Sequence, residues 1–97
     1  MSRTPEGGFQ DRVRKDILKM FPGAIVTKLD GTQGIPDLLI LYKDRWATLE
    51  CKRSSTARHQ PNQDYFVGKM DEMSFSRFIY PENKKEVLDE LRQSFES

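Results

Sequence analysis

The chain has 97 residues, 36% of them hydrophobic and 32% charged, with 16 basic and 15 acidic side chains and a formal net charge of +1. That length supports one domain with one core, and the composition is globular rather than disordered. No apolar run approaches the roughly 20 residues of a membrane span. The small net charge argues against a protein that coats nucleic acid by charge alone. The one cysteine, Cys51, excludes an intramolecular disulfide framework and a thiolate zinc cluster. Polar sequence follows Met1 to Pro5 in place of a signal-peptide apolar stretch, so the cytoplasm is the expected compartment and no membrane partner is expected.

Phe9, Val13, Ile17 and Phe21 recur at four-residue spacing and predict one buried helix face, with Pro22-Gly23 as the stop. Ala24 to Leu29 is short and β-branched and reads as a strand, and Asp30 to Gly34 as a turn-rich loop. Leu38 to Tyr42 is a nearly continuous apolar run, suited to a buried central strand. Lys43-Asp44-Arg45 then makes a tight connection to a strand from Trp46 to Lys52, which predicts a hairpin. A polar loop follows. Pro61 fits the first position of a second helix, with Tyr65, Phe66 and Met70 on its apolar side. Phe75 to Tyr80 reads as a fourth strand. Asn83 is a good N-cap for a last helix, with Glu86 as its capping-box partner and Val87, Leu88, Leu91 and Phe95 as its buried stripe. The order helix, three strands, helix, strand, helix predicts an α/β (α+β) fold with a mixed central sheet flanked by helices.

The chemistry concentrates at Asp37 and at Glu50-Cys51-Lys52. Proline at position 36 makes a rigid approach that places Asp37 at the start of a buried strand. Alternate strand residues share a face, so Glu50 and Lys52 point together while Cys51 points away with Ala47 and Leu49. A hairpin brings Asp37 to the same end as Glu50 and Lys52. Two carboxylates suit Mg²⁺, which takes oxygen ligands and keeps several waters. A lysine beside them can hold an attacking water or stabilise charge on phosphorus. These parts suffice for phosphodiester hydrolysis. From Lys52 to Gln63 the loop carries Lys52, Arg53, Arg58 and His59 and no acid, so Arg53, Arg58 and His59 are candidate phosphate contacts, with Lys28 a further one. The stretch from Glu82 to Glu96 is acidic overall.

Pro36-Asp37 followed by Glu50-Cys51-Lys52 resembles the signature of the PD-(D/E)xK nucleases, and the element order resembles their restriction-endonuclease-like core. Glu6-Gly7-Gly8-Phe9-Gln10, Gln33 to Asp37 and Pro61 to Tyr65 look like the small, phage-type Holliday-junction-resolvase-like and VRR-NUC branches. The resemblance runs from Glu6 to about Leu91. It implies a DNA endonuclease using Mg²⁺, with Mn²⁺ as a substitute and no organic cofactor, acting as a homodimer on DNA, in the host cytoplasm if the chain is phage-encoded. The substrate it implies is branched or junction DNA, or a site of nicking. Asp37, Glu50 and the Cys51 backbone carbonyl would be metal ligands, joined by the first-helix acid Glu6, for which Asp11 is an alternative. Lys52 would position the water. Gln63 would support the site, with Gln60 competing for that role.

Plainer readings stand beside these. Asp37 can cap a turn, and Glu50 with Lys52 can be an exposed same-face pair. Glu6 suits the first turn of any helix, and His59 can be merely exposed. A catalytically silent nucleic-acid-binding module on the same scaffold is the alternative function.

Overall fold

A computed structural model describes residues 5–97, with side chains described from Gly8 onward. The element order is α1 (Pro5–Met20), β1 (Ile25–Lys28), β2 (Leu38–Tyr42), β3 (Arg45–Cys51), α2 (Gln63–Met73), β4 (Ser76–Ile79) and α3 (Lys84–Glu96). The strands form one sheet in the order β1-β2-β3-β4. The first two pairings are antiparallel and β3 pairs with β4 in parallel. The sheet is therefore mixed, as expected. A parallel neighbour cannot be reached by a tight turn, and α2 supplies the crossover.

The expected hairpin is formed by β2 and β3, with Tyr42 opposite Arg45 across Lys43-Asp44. Lys43 takes the left-handed conformation (φ 58°) that so short a turn demands. One face of the sheet presents Val26, Leu38, Ile40, Ala47, Leu49 and Cys51 to a single apolar core. Helix α1 adds Phe9, Val13 and Ile17, with Phe21 just beyond its end, and α3 adds Val87, Leu88, Leu91 and Phe95. Phe21 lies 4.9 Å from the Tyr42 ring and 5.1 Å from that of Phe95, closing the far end of this layer.

The opposite face differs in chemistry. Helix α2 packs there on β3 and β4. Among the described residues, the buried polar side chains are Thr48, Glu50, Lys52, Gln63 and Ser76. All five belong to β3, the residue after it, β4 or α2. Thr48 Oγ1 donates to Ser76 Oγ at 2.8 Å, so the layer begins as a satisfied polar seam rather than a second dry core.

Two local expectations are corrected. Helix α2 starts at Gln63, so Pro61 lies outside it; Asn62 sits between them in the left-handed region (φ 70°). That conformation breaks the helical path, and only from the Asn62 carbonyl, which accepts from Phe66 N at 3.0 Å, do helical bonds run. Asn83 does not cap α3 through its side chain. Its amide instead accepts from Tyr80 N (2.9 Å) and donates to Phe78 O (3.1 Å), tying down the end of β4, so the capping box with Glu86 is not made. Among the described residues, no helix is long and apolar enough to cross a membrane.

Leu49, with no exposed surface in the dry layer, is the test of where stability resides. Leu49→Ala should lower unfolding free energy by about 2–5 kcal/mol. Ile25→Thr, at a site 58% exposed, should change it by less than about 0.5 kcal/mol. Urea denaturation of both variants measures the contrast.

Candidate active site

The pairing of β2 with β3 sets Leu38 opposite Leu49. One step further along both chains, Asp37 comes opposite Glu50. The Asp37 carbonyl accepts from Leu29 N at 2.8 Å, so its main chain is turned toward β1. Toward β3 it is therefore in a non-hydrogen-bonded pair, the kind whose side chains approach most closely. Pro36, fully buried, holds that approach. The Asp37 carboxylate uses Oδ2 to accept from Cys51 N at 3.0 Å, which stitches the first acid to the strand carrying the second. The Cys51 carbonyl points to the same side of β3 as its N–H, where Pro36 has no N–H to offer it. The Cys51 side chain is buried in the apolar layer, away from the site.

Glu50 and Lys52 share a face, as alternation requires, and both are buried, at 3% and 7% exposure. Gln63 joins them. Its Nε2 donates to Glu50 Oε2 at 2.9 Å, and its Oε1 accepts from Lys52 Nζ at 2.6 Å. The amide has one workable orientation, because the reverse would set carbonyl against carboxylate and NH₂ against ammonium. Lys52 Nζ also donates to the Arg58 carbonyl at 3.1 Å and lies 4.0 Å from Glu50 Oε2. Gln60 lines the cleft and meets Gln63 through its backbone, donating its N–H to Gln63 Oε1 at 2.8 Å and accepting from Gln63 N at 3.2 Å. Of the two competing glutamines, the structure places Gln63 in the centre.

Asp37, Glu50, Lys52 and Gln63 open on a cleft of about 250 Å³ that Arg53 and Arg58 also line. The loop carrying these arginines is fastened. Ser55 donates to Glu82 Oε2 through its backbone N–H and its hydroxyl, each at 3.2 Å. The Ser55 N–H is the main cause that holds the Glu82 carboxyl below its ordinary range. A group so depressed keeps its negative charge, and this tether, down through mildly acidic pH; the tether weakens only as pH falls through the lowered value.

Other expected residues lie elsewhere. His59 stacks on Phe78 (centroids 4.1 Å) and pairs with Asp64 Oδ1 at 2.8 Å, outside the cleft lining. Lys28 lines a separate cleft with Arg14. Asp11 lines another beside Lys15 and Leu18 and is not among the residues lining this cleft. The Glu6 side chain lies outside the described residues. Among the described residues, no group of three or more His, Cys, Asp and Glu side chains assembles; the centre holds two carboxylates. For Mg²⁺ that donor set is adequate, since the ion commonly takes one or two carboxylates and retains water.

Sequence reasoning overlooked the part played by Gly34. Its φ is +90°, and a Cβ there would lie 2.6 Å from Asn62 Cβ and 2.8 Å from Pro61 O. The loop that delivers Asp37 thus presses directly on the residues that precede Gln63. Its glycine looked like turn punctuation, and no local pattern reveals a contact with a segment so distant in the chain.

Compared with family models, curated proteins and solved structures, the chain matches none.

Gly34→Ala combines a disfavoured φ with an overlap against backbone, so it should cost about 1–3 kcal/mol. It should also shift the Gln63 side-chain amide resonances in an ¹⁵N spectrum. Gly31→Ala shares the positive φ but meets nothing within 4 Å; it should lose stability while leaving the Gln63 amide signals in place.

Proposed function

We propose that this chain is a magnesium-dependent endonuclease that hydrolyses phosphodiester bonds in DNA, with Asp37, Glu50 and Lys52 as its centre. One observation carries the reading: a carboxylate and an ammonium, both buried, are held by one glutamine amide and face a cleft that also contains Asp37 and two arginines. Buried charge is costly unless something uses or balances it. An acid pair with a nearby ammonium and guanidinium groups is the donor set for a divalent cation beside a phosphate.

Asp37 and Glu50, with the Cys51 carbonyl, are the groups that would hold Mg²⁺, and Mn²⁺ would substitute. When bound, the ion supplies a water of lowered pKa and polarises a phosphate oxygen. Lys52 is fixed by Gln63 and Arg58 O so that its ammonium stays beside Glu50, where it can orient the attacking water and offset charge gathering on phosphorus. Gln63 keeps Glu50 and Lys52 at their separation; it is a positioning residue. Arg53 and Arg58 offer guanidinium groups to the phosphates that flank the scissile one, contacts that position the backbone without reading bases. A preference for branched, junction or nicked DNA would come from the shape of the assembly around this centre. The resemblance to PD-(D/E)xK nucleases agrees with this assignment.

A homodimer is part of the proposal, because cutting both strands needs two centres related by the approximate twofold symmetry of the duplex. The cross-strand neighbours Ile25 and Leu41 are both exposed on the α2 side of the sheet, over the β1–β2 part that α2 does not cover, an apolar surface suited to a second copy. The second reading is a silent nucleic-acid-binding module, which would keep the arginines but has no use for two carboxylates beside a phosphate.

Supercoiled plasmid incubated with Mg²⁺, Mn²⁺ or EDTA decides between them. Cleavage should appear with either metal and vanish with EDTA. Asp37→Asn and Glu50→Gln should each reduce it by about 10²-fold or more. Lys52→Ala should retain metal binding by calorimetry and lose turnover. Undiminished cutting by folded Asp37→Asn protein would overturn the assignment, and plasmid retardation without cleavage in any metal would favour the silent module. Light scattering should give twice the chain mass; a monomer with full double-strand cutting would remove the dimer.

A further inference from the structure

Several cations of this protein are committed to partners within the fold. Lys84 pairs with Asp16, Lys85 with Asp89, and Arg77 with both Asp71 and Glu90. Arg45 donates to the Ser94 and Ser97 carbonyls. These groups are already engaged, and Arg77 in particular is not available to grip a ligand. Arg14, Lys28, Arg53 and Arg58, at one end of the sheet, are among those that are not engaged. Among the described residues, none of their side chains takes part in an ion pair or a hydrogen bond. Arg53 and Arg58 line the cleft of the catalytic centre.

Arg14 and Lys28 line a second cleft, of about 270 Å³, whose other walls are Val26, Thr27 and Leu38. Among the described residues, no carboxylate lines it. Its position follows from the fold. Lys28 ends β1 and is the cross-strand partner of Leu38, the residue directly after Asp37. Lys28 also follows Val26 by two residues, so it shares the sheet face that α1 covers, and Arg14 reaches it from α1. The catalytic carboxylates lie at the same end of the sheet but on the face that α2 covers. The first residues of β2 therefore separate two openings: one with carboxylates, ammonium and arginines, the other with cations alone.

A cleft of this size with two uncommitted cations and an apolar floor suits one tetrahedral dianion or diester. A nucleic-acid backbone lying across the end of the sheet would present phosphates to both openings. We propose that the Arg14–Lys28 cleft is a second phosphate subsite, which holds a backbone phosphate of the DNA substrate away from the scissile bond. The proposal rests on the nuclease reading and adds to it a grip on the far side of β2. Arg14 supplies a planar fork that matches phosphate oxygens, and Lys28 a point charge. Because the contact lies away from the reacting atoms, it contributes equally to ground state and transition state.

The test uses the full chain with a fluorescein-labelled DNA duplex, its affinity followed by anisotropy against salt in EDTA. Arg14→Ala/Lys28→Ala should bind about tenfold more weakly, as the loss of charge-assisted contacts predicts. The slope of log affinity against log salt should fall by about one unit, because one phosphate is released. Cleavage should show a raised KM with kcat retained. Arg14→Lys/Lys28→Arg should restore the slope, which a packing defect would not allow. Both side chains are exposed, so the melting temperature should stay within about 2 °C of wild type. An unchanged affinity and slope in the double variant, with wild type binding and cutting normally, would overturn the subsite and leave the nuclease reading standing. Wild type that neither binds nor cuts DNA would overturn both.

Discussion

The amide of Gln63 is the constraint on which the polar half of the molecule depends. Glu50 and Lys52 lie 4.0 Å apart at closest approach and are almost wholly removed from water. Desolvating two such groups costs several kcal/mol each, and their attraction offsets this only when the remaining donors and acceptors are also satisfied. Gln63 is suited to that task because one planar group presents a donor to the acid and an acceptor to the ammonium. Asparagine would be shorter and leucine would leave both ions poorly served. To deliver this amide, α2 must begin at Gln63, and the preceding chain must fold back sharply. The left-handed Asn62 and the close approach of Gly34 follow from that requirement.

The parallel pairing of β3 with β4 has the same root. A tight antiparallel turn after Cys51 would have carried the chain away without passing over the sheet. The crossover instead runs through a loop, then α2, and returns along the outer edge. Lys52 N still donates to Ile79 O at 2.8 Å, so β4 steadies the residue that follows β3. Stability and chemistry are thereby separated by a single layer of strands. The face toward α1 and α3 buries an apolar core. The face toward α2 is narrow and hydrogen-bonded, and ends in the cleft. Positions 49 and 50 are neighbours in sequence yet belong to these two different environments.

Much of this was legible in the chain because it depends on short periods. The apolar run Leu38 to Tyr42, the tight Lys43-Asp44 connection and the alternation through Glu50, Cys51 and Lys52 are local signals, and each describes what the backbone does within a few residues. The meeting of Asp37 with Glu50 followed from hairpin register. Gln63 and Gln60 were equivalent on sequence because both stand near a helix start; only the left-handed turn at Asn62 settles which one faces the sheet. Pro61 resembled a first helical residue for the good reason that its missing N–H is harmless there, but the contact with Gly34 governs that turn. Asn83 had the right chemistry for a cap and uses it on Tyr80 and Phe78, since the end of β4 offers closer partners than the helix N–H groups. Tertiary competition of this kind leaves no trace in a window of ten residues.

The net charge of +1 also conceals an arrangement that only three dimensions reveal. Acids and bases nearly balance over the whole chain, but they do not balance locally. Around α3, β4 and the outer surface of α1, Asp16, Asp71, Asp89 and Glu90 lie within reach of Lys84, Arg77 and Lys85 and cancel them. Exposed pairs of that kind add little stability. Their consequence is to take those cations out of play and leave one end of the sheet with uncommitted positive charge. There Arg53 and Arg58 line the cleft of Asp37 and Glu50, and Arg14 and Lys28 line a second cleft across β2. Positive charge at that end would help to orient an anionic polymer before contact, over about a Debye length. A uniformly basic surface of the same size would bind phosphate at many places and bring few of them to the carboxylates. On the proposed reading, uncommitted cations beside the carboxylate cleft would make weak, backbone-directed binding productive without a large excess of lysine and arginine.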